Sequence, residues 1–374
     1  MTIQLDSVEV AIAEIAAGRL VVVVDDADRE NEGDLIMAAA KAEAPAVAFM
    51  IRHTSGILCA PLPPELARRL RLDPMVALND APMGTAFTVS VDYRFGLTTG
   101  ISAGERSATV RALANANAGV DDFVRPGHIF PLIGRDGGVL VRSGHTEAAI
   151  DLARLAGLPP VGLLAELVND DGTVKRLPQL AEFAAEHGLK MISVADLIAY
   201  RQRREQLIER IGEYEVLTEV GPARVVAYAT PFDAVHHLAL IVGELGGGEV
   251  LVRIHREQVI SDVFARRDGA PGHLIPKALQ RLAGNGGGVL IYLREGTAGV
   301  PGATSSGPAE TGSEAADPSL EAARSEQWRD VGIGAQILRD LGVSSIRLLA
   351  TRHRHYVGLA GFGIDIAATD LIDG

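Results

Sequence analysis

The sequence predicts an α/β protein, with some α+β character, that folds as two domains. Short apolar runs typical of buried strands alternate with segments whose apolar residues recur at helical spacing. The chain has 374 residues, which exceeds the usual size of one domain. A charged run, RQRREQLIER, is typical of a solvated linker. We therefore place the boundary near residues 203 to 212, with domains at 1–205 and 213–374.

Composition excludes several classes of protein. Hydrophobic residues make up 47% of the chain, which fits a compact protein rather than a disordered one. A formal net charge of −13 without a long basic stretch argues against a nucleic-acid partner. Cys59 is the single cysteine, so neither an intrachain disulfide nor a cysteine-based zinc site can form. No bilayer-spanning run or signal peptide is found, so we expect a cytoplasmic protein without a membrane partner.

The first half is organised around residues 20–34, LVVVVDDADRENEGD. The apolar run from Leu20 to Val24 predicts a short strand buried on both faces. Six carboxylates follow, and we expect them to leave the strand as a loop because their burial would be costly. Clustered carboxylates favour a hard cation, and Arg29 suits a phosphate or carboxylate. The alternative is a solvated acidic turn. The six acids are Asp25, Asp26, Asp28, Glu30, Glu32 and Asp34.

The other elements of the first half follow from periodicity and capping signals. A first helix, capped by Asp6 or Ser7, is expected to end at Gly18. Further helices are predicted at Ala44–Arg52, Ser107–Gly119, 146–157 and Ala195–Glu205, and strands at 55–62, Ala86–Asp92, Val139–Val141, Val161–Val168 and Lys190–Val194.

Several polar residues in these elements have both a structural and a functional interpretation. Cys59 lies in an apolar strand, where packing is the more common role of a cysteine. Thr99 precedes a helix and can bind a ligand or cap that helix. His128 lies between a glycine and an apolar run, a position typical of a structural histidine. Glu166 ends a buried strand, and a carboxylate in such a place is a candidate for proton transfer.

A second informative stretch is the turn from Arg142 to Thr146, which feeds a helix. Free backbone N–H groups and the positive end of the helix dipole make such a turn suitable for phosphate. Arg142 and the hydroxyls of Ser143 and Thr146 can complete the cradle, and Gly144 permits the tight turn. His145 can bind a metal ion through a neutral imidazole. The alternative is an ordinary strand-to-helix turn.

Seven motifs in residues 1–200 together resemble 3,4-dihydroxy-2-butanone 4-phosphate synthase. They are DDADRENEGD, GILC, FTVSVD, TTGIS, RPGHIFPL, RSGHTEAAIDLARLAGL and ELVNDDGT. The resemblance implies conversion of ribulose 5-phosphate to a four-carbon riboflavin precursor and formate, with Mg²⁺ and with Mn²⁺ as the alternative ion. It also implies a homodimer whose active sites draw on both subunits.

The same resemblance assigns roles to particular residues. Glu30 and His145 would bind the metal ion, and His128 and Glu166 would be the catalytic pair. The residues that would contact substrate are Arg29, Glu30, Asp34, Arg142, Ser143, Gly144, His145, Thr146 and Glu166. Cys59 and Thr99 would line the pocket. The acidic loop and the histidine turn are therefore expected to meet around one divalent ion.

The second half is similar to GTP cyclohydrolase II in the segments LVRIHRE, GVLIYLRE, DVGIGAQILRDLG and IRLLATRHRHYVGLAGFGIDI. Strands are expected at Val225–Tyr228, Val250–Ile254, Val289–Leu293 and Ile346–Leu349, with a helix at Gly334–Leu341. The family's three zinc-binding cysteines are missing. Gln258 replaces the first, and residues 267–271 contain no thiol, while His255, Asp262 and His273 do not restore the spacing.

Two further departures lie at Gln327, where the family has an acid, and in the Gly-, Ser- and Pro-rich stretch after the YLR strand. Arg329 and residues 334–336 are retained. We therefore expect no zinc and no cyclohydrolase activity. The alternatives are a bifunctional enzyme with an unusual metal site, a regulatory or dimerisation module in the second half, and a different metal-dependent sugar-phosphate enzyme.

Overall fold

The computed structural model describes residues 3–25, 29–81, 83–231, 235–246, 248–259, 262–263, 274–294, 332–351 and 364–372. These residues form two compact units, and the chain passes from the first to the second after Arg201. Each unit is a mixed α/β fold built on a seven-stranded sheet. None of the described helices is long and apolar enough to span a membrane.

The first unit contains seven strands and seven helices in its described residues. Its strands are β1 (Val21–Val24), β2 (Gly33–Ala38), β3 (Cys59–Leu62), β4 (Val91–Tyr93), β5 (Phe123–Ile133), β6 (Gly162–Glu166) and β7 (Lys190–Ser193). Its helices are α1 (Val8–Ala16), α2 (Ala44–His53), α3 (Pro64–Arg69), α4 (Ala103–Leu113), α5 (His145–Leu155), α6 (Leu177–His187) and α7 (Val194–Arg204), the last of which crosses the unit boundary.

The first sheet has the order β4-β5-β3-β6-β2-β1-β7. Its central strands are buried on both faces, as the run of four valines in β1 predicts. Strand β1 pairs antiparallel with β2 and parallel with β7, and β2 pairs antiparallel with β6. This order places the ends of β1, β2 and β6 side by side, which brings the acidic segment next to Glu166.

The prediction that Asp34 belongs to a loop is wrong. The acidic loop ends at Glu32, and Asp34 is the second residue of β2, paired with Glu166 of β6 and buried. The pairing of β2 with β6 accounts for this placement, because it puts the backbone of Asp34 in the sheet. The carboxylate of Asp34 then lies next to His145.

Three other element predictions also need correction. The strand predicted at Val139–Val141 is a 3₁₀ turn at Gly138–Leu140, where the Val139 N–H donates to a carboxylate of α5 rather than to a ladder. The strand predicted at Ala86–Asp92 is limited to β4, with isolated bridges before it. The helix predicted at Ser107–Gly119 starts earlier, because the Ser102 side chain caps α4, and ends at Leu113.

The second unit is a sheet of order β14-β13-β11-β12-β10-β9-β8. Its strands are β8 (Glu209–Thr218), β9 (Gly221–Ala229), β10 (His237–Gly243), β11 (Val250–Arg256), β12 (Gly287–Leu293), β13 (Ser345–Ala350) and β14 (Asp365–Leu371). Helix α8 (Leu274–Gly284) and a helix at residues 332–340 pack apolar side chains against this sheet. The four strands and the helix predicted here are confirmed.

Candidate active site

The acidic loop is held in a defined conformation by one carboxylate and two arginines. Asp25 accepts hydrogen bonds from the backbone N–H groups of Glu30 at 3.0 Å and Glu32 at 2.8 Å. The Arg29 guanidinium is buried and pairs with Asp25 at 2.9 Å and with Glu30. Arg176 donates to the carbonyl oxygens of Glu30 and Asn31 at 2.8 and 2.6 Å. Asp26 and Asp28 lie outside the described residues.

Arg29 pairs with two carboxylates of the acidic loop, and its contact with substrate stays a prediction. Its Nη1 atom lies between the carboxylates of Asp25 and Glu30. The arginine therefore holds two carboxylates close together at the end of β1. Without it, their mutual repulsion would oppose this arrangement.

The predicted meeting of Glu30 and His145 is present within one chain. His145 is the first residue of α5 and is buried. Its Nδ1 atom lies 3.6 Å from Oε2 of Glu30 and 3.9 Å from Oδ1 of Asp34. Asp25, Glu30 and His145 each offer one ligand atom, and these atoms lie within 4.8 Å of one another. The three residues could hold one metal ion between them.

This donor set fits a hard divalent ion such as Mg²⁺ or Mn²⁺, because two carboxylates dominate it. Asp34 supplies a second indication. Its Oδ1 atom is buried and has no hydrogen-bond partner among the described residues. Such an oxygen is costly unless a cation or a donor from a ligand approaches it.

The pKa values of this cluster depart from their ordinary values in a coupled way. Burial raises the pKa of Asp34 to about 7, with the neighbouring Glu166, Glu30 and Glu32 carboxylates acting in the same direction against His145. For Glu30, burial is outweighed by the His145 hydrogen bond and the Arg29 charge, which lower its pKa to about 2. For His145, burial is outweighed by Asp34 and Glu30, which raise its pKa to about 9.

The turn from Arg142 to Thr146 leads directly into α5, with Gly144 at its N-cap and no side chain capping the helix. The first-turn N–H groups therefore lack partners within the helix and can bind an anion. Arg142 donates to Glu147 at 2.7 Å and to the Met83 carbonyl oxygen at 3.1 Å. Glu147 is buried, so it fixes the guanidinium at the start of the helix. Ser143 and Thr146 complete this turn.

Glu166 lies beside this cluster at the end of β6. Its Oε2 atom accepts a hydrogen bond from the Ser55 hydroxyl at 2.6 Å, and its backbone pairs with that of Asp34. Cys59 in β3 pairs with Leu164 of β6 and is buried. Burial, together with the charges of Glu166 and Asp34, raises the pKa of the Cys59 thiol. The thiol is therefore uncharged at neutral pH, and its place in the lining of the pocket stays a prediction.

Among the described residues, no contact joins His128 or Thr99 to the metal-binding cluster, and their place in the site stays a prediction. His128 lies on β5, and β3 separates that strand from β6. Two steps of about 4.8 Å put the two strands roughly 10 Å apart. Thr99 is exposed in the segment before α4, where its neighbour Thr98 donates to Glu105. His128 instead pairs with Asp92.

Four residues of this site were missed by sequence reasoning. Asp25 was seen only as one acid among six, although its place directly after β1 is a signal for a ligand. Ser55, Glu147 and Arg176 act through contacts between segments distant in sequence, for which a single sequence gives no periodic or spacing signal.

Comparison with protein-family models decides the identity of both halves. The model described as 3,4-dihydroxy-2-butanone 4-phosphate synthase matches residues 9–200. The chain belongs to the 3,4-dihydroxy-2-butanone 4-phosphate synthase family. The GTP cyclohydrolase II model matches residues 209–370, so the synthase domain is fused to a domain of that second family.

Relatives and solved structures agree with this assignment. Riboflavin biosynthesis protein RibBA of Salinispora arenicola is 48% identical over 366 residues, covering 96% of this chain and 87% of that protein. RibBA of Mycobacterium tuberculosis is 47% identical over 374 residues, covering 97% and 88%. The crystal structure of RibBX from A. baumannii, a two-domain synthase, covers 99% of this chain and all of that chain with a TM-score of 0.80 and 37% identity.

A structure of a synthase with two magnesium ions covers 53% of this chain and 98% of that chain, with a TM-score of 0.52 and 43% identity. The first half of the present chain is therefore a 3,4-dihydroxy-2-butanone 4-phosphate synthase. The two-domain α/β fold of the whole chain is shared with the RibBX structure.

In the cyclohydrolase II-family domain, the residues at the expected zinc position bond to one another. His255 is buried, and its Nε2 atom lies 3.0 Å from Oδ1 of Asp262, whose Oδ2 also accepts from the Tyr292 hydroxyl at 2.9 Å. The Gln258 N–H donates to the same carboxylate at 2.8 Å. Residues 267–271, His273, Gln327, Arg329 and the Gly-, Ser- and Pro-rich stretch at 296–326 lie outside the described residues.

Proposed function

We propose that the synthase domain converts ribulose 5-phosphate to 3,4-dihydroxy-2-butanone 4-phosphate and formate, as a step of riboflavin biosynthesis that depends on Mg²⁺, with Mn²⁺ as a substitute. The observation that carries this proposal is the cluster of Asp25, Glu30 and His145 next to a helix N-terminus that suits phosphate. One end of a sugar phosphate fits the helix turn while its oxygens reach the carboxylate cluster.

The chain's own residues divide the work between binding and proton transfer. Asp25, Glu30 and His145 would hold the cation, and the Arg142–Thr146 turn would bind the phosphate. A divalent cation polarises the carbonyl and hydroxyl oxygens of a bound ketose and so favours loss of the neighbouring proton. Glu166, oriented by Ser55, and His128 would move protons during dehydration, migration and loss of the formyl carbon.

A homodimer is part of the proposal, because His128 is separated from Glu166 within one chain. Strand β3 lies between β5 and β6, so the backbones that carry His128 and Glu166 are two strands apart within one chain. A two-fold partner that presents His128 at the other copy's metal-binding cluster would complete two equivalent sites. This arrangement accounts for a catalytic histidine that is partly exposed, with 39% of its side chain accessible.

The reaction is tested with purified full-length protein, ribulose 5-phosphate and Mg²⁺. We expect one formate released for each four-carbon product, and no turnover when EDTA removes the ion. Release of a product without formate would instead indicate a different metal-dependent sugar-phosphate enzyme. Mn²⁺ added after EDTA treatment checks whether the second ion substitutes.

The second domain has GTP cyclohydrolase II activity as its candidate function, and a specific observation favours it. The family model matches residues 209–370, and relatives named RibBA span the same two domains. This match supports the bifunctional alternative over our expectation of an inactive domain. The loss of activity stays a prediction, which depends on the missing cysteines: Cys59 is the only thiol and lies in β3 of the other domain.

One experiment separates these two interpretations of the second domain. The purified protein is supplied with GTP and Zn²⁺ or Mg²⁺, and its zinc content is measured. Turnover of GTP would show that a metal site without thiolates supports the reaction. A regulatory or dimerisation role would instead give no turnover, but removal of the second domain would change synthase kinetics or the oligomeric state.

A further inference from the structure

Asp92 and His128 form a hydrogen-bonded pair that is not part of the metal-binding cluster. Oδ2 of Asp92 lies 2.7 Å from Nδ1 of His128, and Oδ1 accepts a hydrogen bond from the His128 backbone N–H at 2.9 Å. The Asp92 side chain is 4% exposed, whereas that of His128 is 39% exposed. A buried carboxylate therefore binds both the backbone and the ring of a histidine whose side chain is partly exposed.

The backbone around this pair departs from the regular β4–β5 ladder. In the β4–β5 ladder, Val91 pairs with Ile129 but Asp92 pairs with Val124, so the intervening residues of β5 bulge out. The Gly127 N–H donates to the Ser90 hydroxyl at 3.1 Å, and a Cβ on Gly127 would overlap the backbone of Val91. The bulge therefore passes too close to β4 for any residue larger than glycine.

Gly100 covers the same pair from the segment before α4. Its φ of +85° favours glycine, and a Cβ at this position would overlap Oδ2 of Asp92 and lie 2.6 Å from Nδ1 of His128. A residue larger than glycine at position 100 would therefore push Asp92 and His128 apart. The ring nitrogen of His128 that Asp92 does not contact is Nε2.

We propose that Asp92 is a positioning residue for His128 in the synthase reaction: it accepts the Nδ1 proton, fixes the ring orientation and leaves the Nε2 lone pair facing substrate. A carboxylate can only accept, so Nδ1 carries the proton in the neutral ring, and Nε2 is the atom that takes up or releases a proton. The negative charge of Asp92 also stabilises the imidazolium that forms when Nε2 is protonated. The inference rests on the proposed catalytic role of His128.

The competing explanation is that Asp92 only balances a buried positive charge. Arg106 on α4 is buried, donates to the Gly56 carbonyl oxygen at 3.3 Å, and interacts electrostatically with Asp92. Arg106 makes no hydrogen bond to Asp92 among the described contacts, whereas both oxygens of Asp92 point at His128. Balancing the charge of Arg106 would not make kcat depend on Asp92, so the kinetics of an Asp92 variant distinguish the two roles.

The first measurement uses the unmodified protein. Full-length enzyme with ¹⁵N-labelled histidine is examined by NMR near neutral pH, and the His128 signals are assigned by their loss in His128→Gln. The inference predicts a proton on Nδ1 and none on Nε2 in the neutral ring. The opposite tautomer would overturn it, and this measurement does not depend on whether any Asp92 variant folds.

The second measurement is kinetic. Asp92→Asn keeps the size of the side chain but can present its amide N–H₂ to Nδ1, which favours the wrong tautomer. We expect kcat to fall by at least about 30-fold with KM changed less than about threefold. Asp92→Glu is expected to recover part of kcat, because it restores a carboxylate.

The outcomes separate this inference from the proposed function. If Asp92→Asn is folded and as active as the wild type while His128→Gln is inactive, Asp92 does not position His128, and the proposed function is retained. If His128→Gln keeps full activity, the catalytic role of His128 fails and the inference fails with it. Loss of kcat in both variants together with the Nδ1-protonated tautomer supports both.

Discussion

The Nε2 atom of His145 lies 3.1 Å from the carbonyl oxygen of Val23, the residue before the last of β1. Because a carbonyl oxygen only accepts, Nε2 carries a proton and donates it, and Nδ1 faces the carboxylates of Glu30 and Asp34. The strand that supplies the acidic loop therefore also orients the histidine. Nδ1 is consequently the ring atom that can bind a cation at this site.

Replacing this histidine is expected to remove metal binding without unfolding the protein. His145→Gln keeps a polar group of similar size at the start of α5 but removes the imidazole ligand. We expect kcat/KM for ribulose 5-phosphate to fall by at least about 100-fold and Mn²⁺ affinity, measured by calorimetry, to fall with it. His236→Gln, at an exposed position of the second domain, is the matched control. Tight Mn²⁺ binding in His145→Gln would place the ion elsewhere.

The metal-free protein should lose stability as the pH rises above neutrality. The pKa of His145 is raised from 6.5 to about 9 in the folded state, against burial, by Asp34 and Glu30. Its stabilising contribution is therefore complete below pH 6.5 and is lost as the pH rises through about 9. We expect a loss on the order of 1–3 kcal/mol between pH 6.5 and 9.5, seen by calorimetry of the synthase domain's transition in EDTA.

The matched control for that experiment is His145→Gln, whose stability should vary less over the same range. Glu30 does not interfere, because its pKa is lowered to about 2 and its contribution is present at every pH above 4.5. The pKa of Asp34 is raised to about 7, so its change of charge is centred there and is largely complete by pH 8. Parallel curves for wild type and variant between pH 7 and 9.5 would contradict the raised pKa of His145.

Sequence reasoning succeeded where a local pattern determines the structure. The four valines of β1 form the buried strand that their apolar run predicts, and the glycine turn leads into the N-terminus of α5 as expected. Sequence reasoning failed for Asp34. An acidic residue is expected in solvent, but the backbone of Asp34 pairs with that of Glu166 and lies in the sheet. The burial of that carboxylate depends on His145, which is distant in sequence.

Sequence reasoning also cannot find residues whose role is to position another residue. Ser55 orients Glu166 across 111 positions of sequence, and Asp92 reaches His128 across 36. Nothing in the spacing of one sequence indicates such pairs. Likewise, the single cysteine could be counted and a thiolate zinc site excluded, but the bonding of Asp262 with His255 and Tyr292 required coordinates.

The phosphate turn is expected to be sensitive to a single methyl group. The φ of Gly144 is −105°, which alanine can adopt, but a Cβ there would overlap Nη1 of Arg142 and lie 3.0 Å from the Glu147 carboxylate. Gly144→Ala should therefore displace the guanidinium and raise KM for ribulose 5-phosphate about tenfold, with kcat changed less than about threefold. Gly284→Ala, where a Cβ meets nothing within 4 Å, is the control. An unchanged KM would exclude Arg142 from phosphate binding.

The proposed two-subunit site makes a quantitative prediction for mixtures of inactive variants. His128→Gln and His145→Gln are each expected to be inactive, since every site in either homodimer lacks one histidine. In a heterodimer, one site would lack both histidines and the other would have both. If subunits exchange at random, half of the dimers are mixed and each has one intact site, so activity should recover to about a quarter of the wild-type value. The mixture is refolded together, and formate release is compared with that of the separate variants. No recovery from a mixture whose heterodimers are shown by mass spectrometry would mean that His128 acts on the site of its own chain.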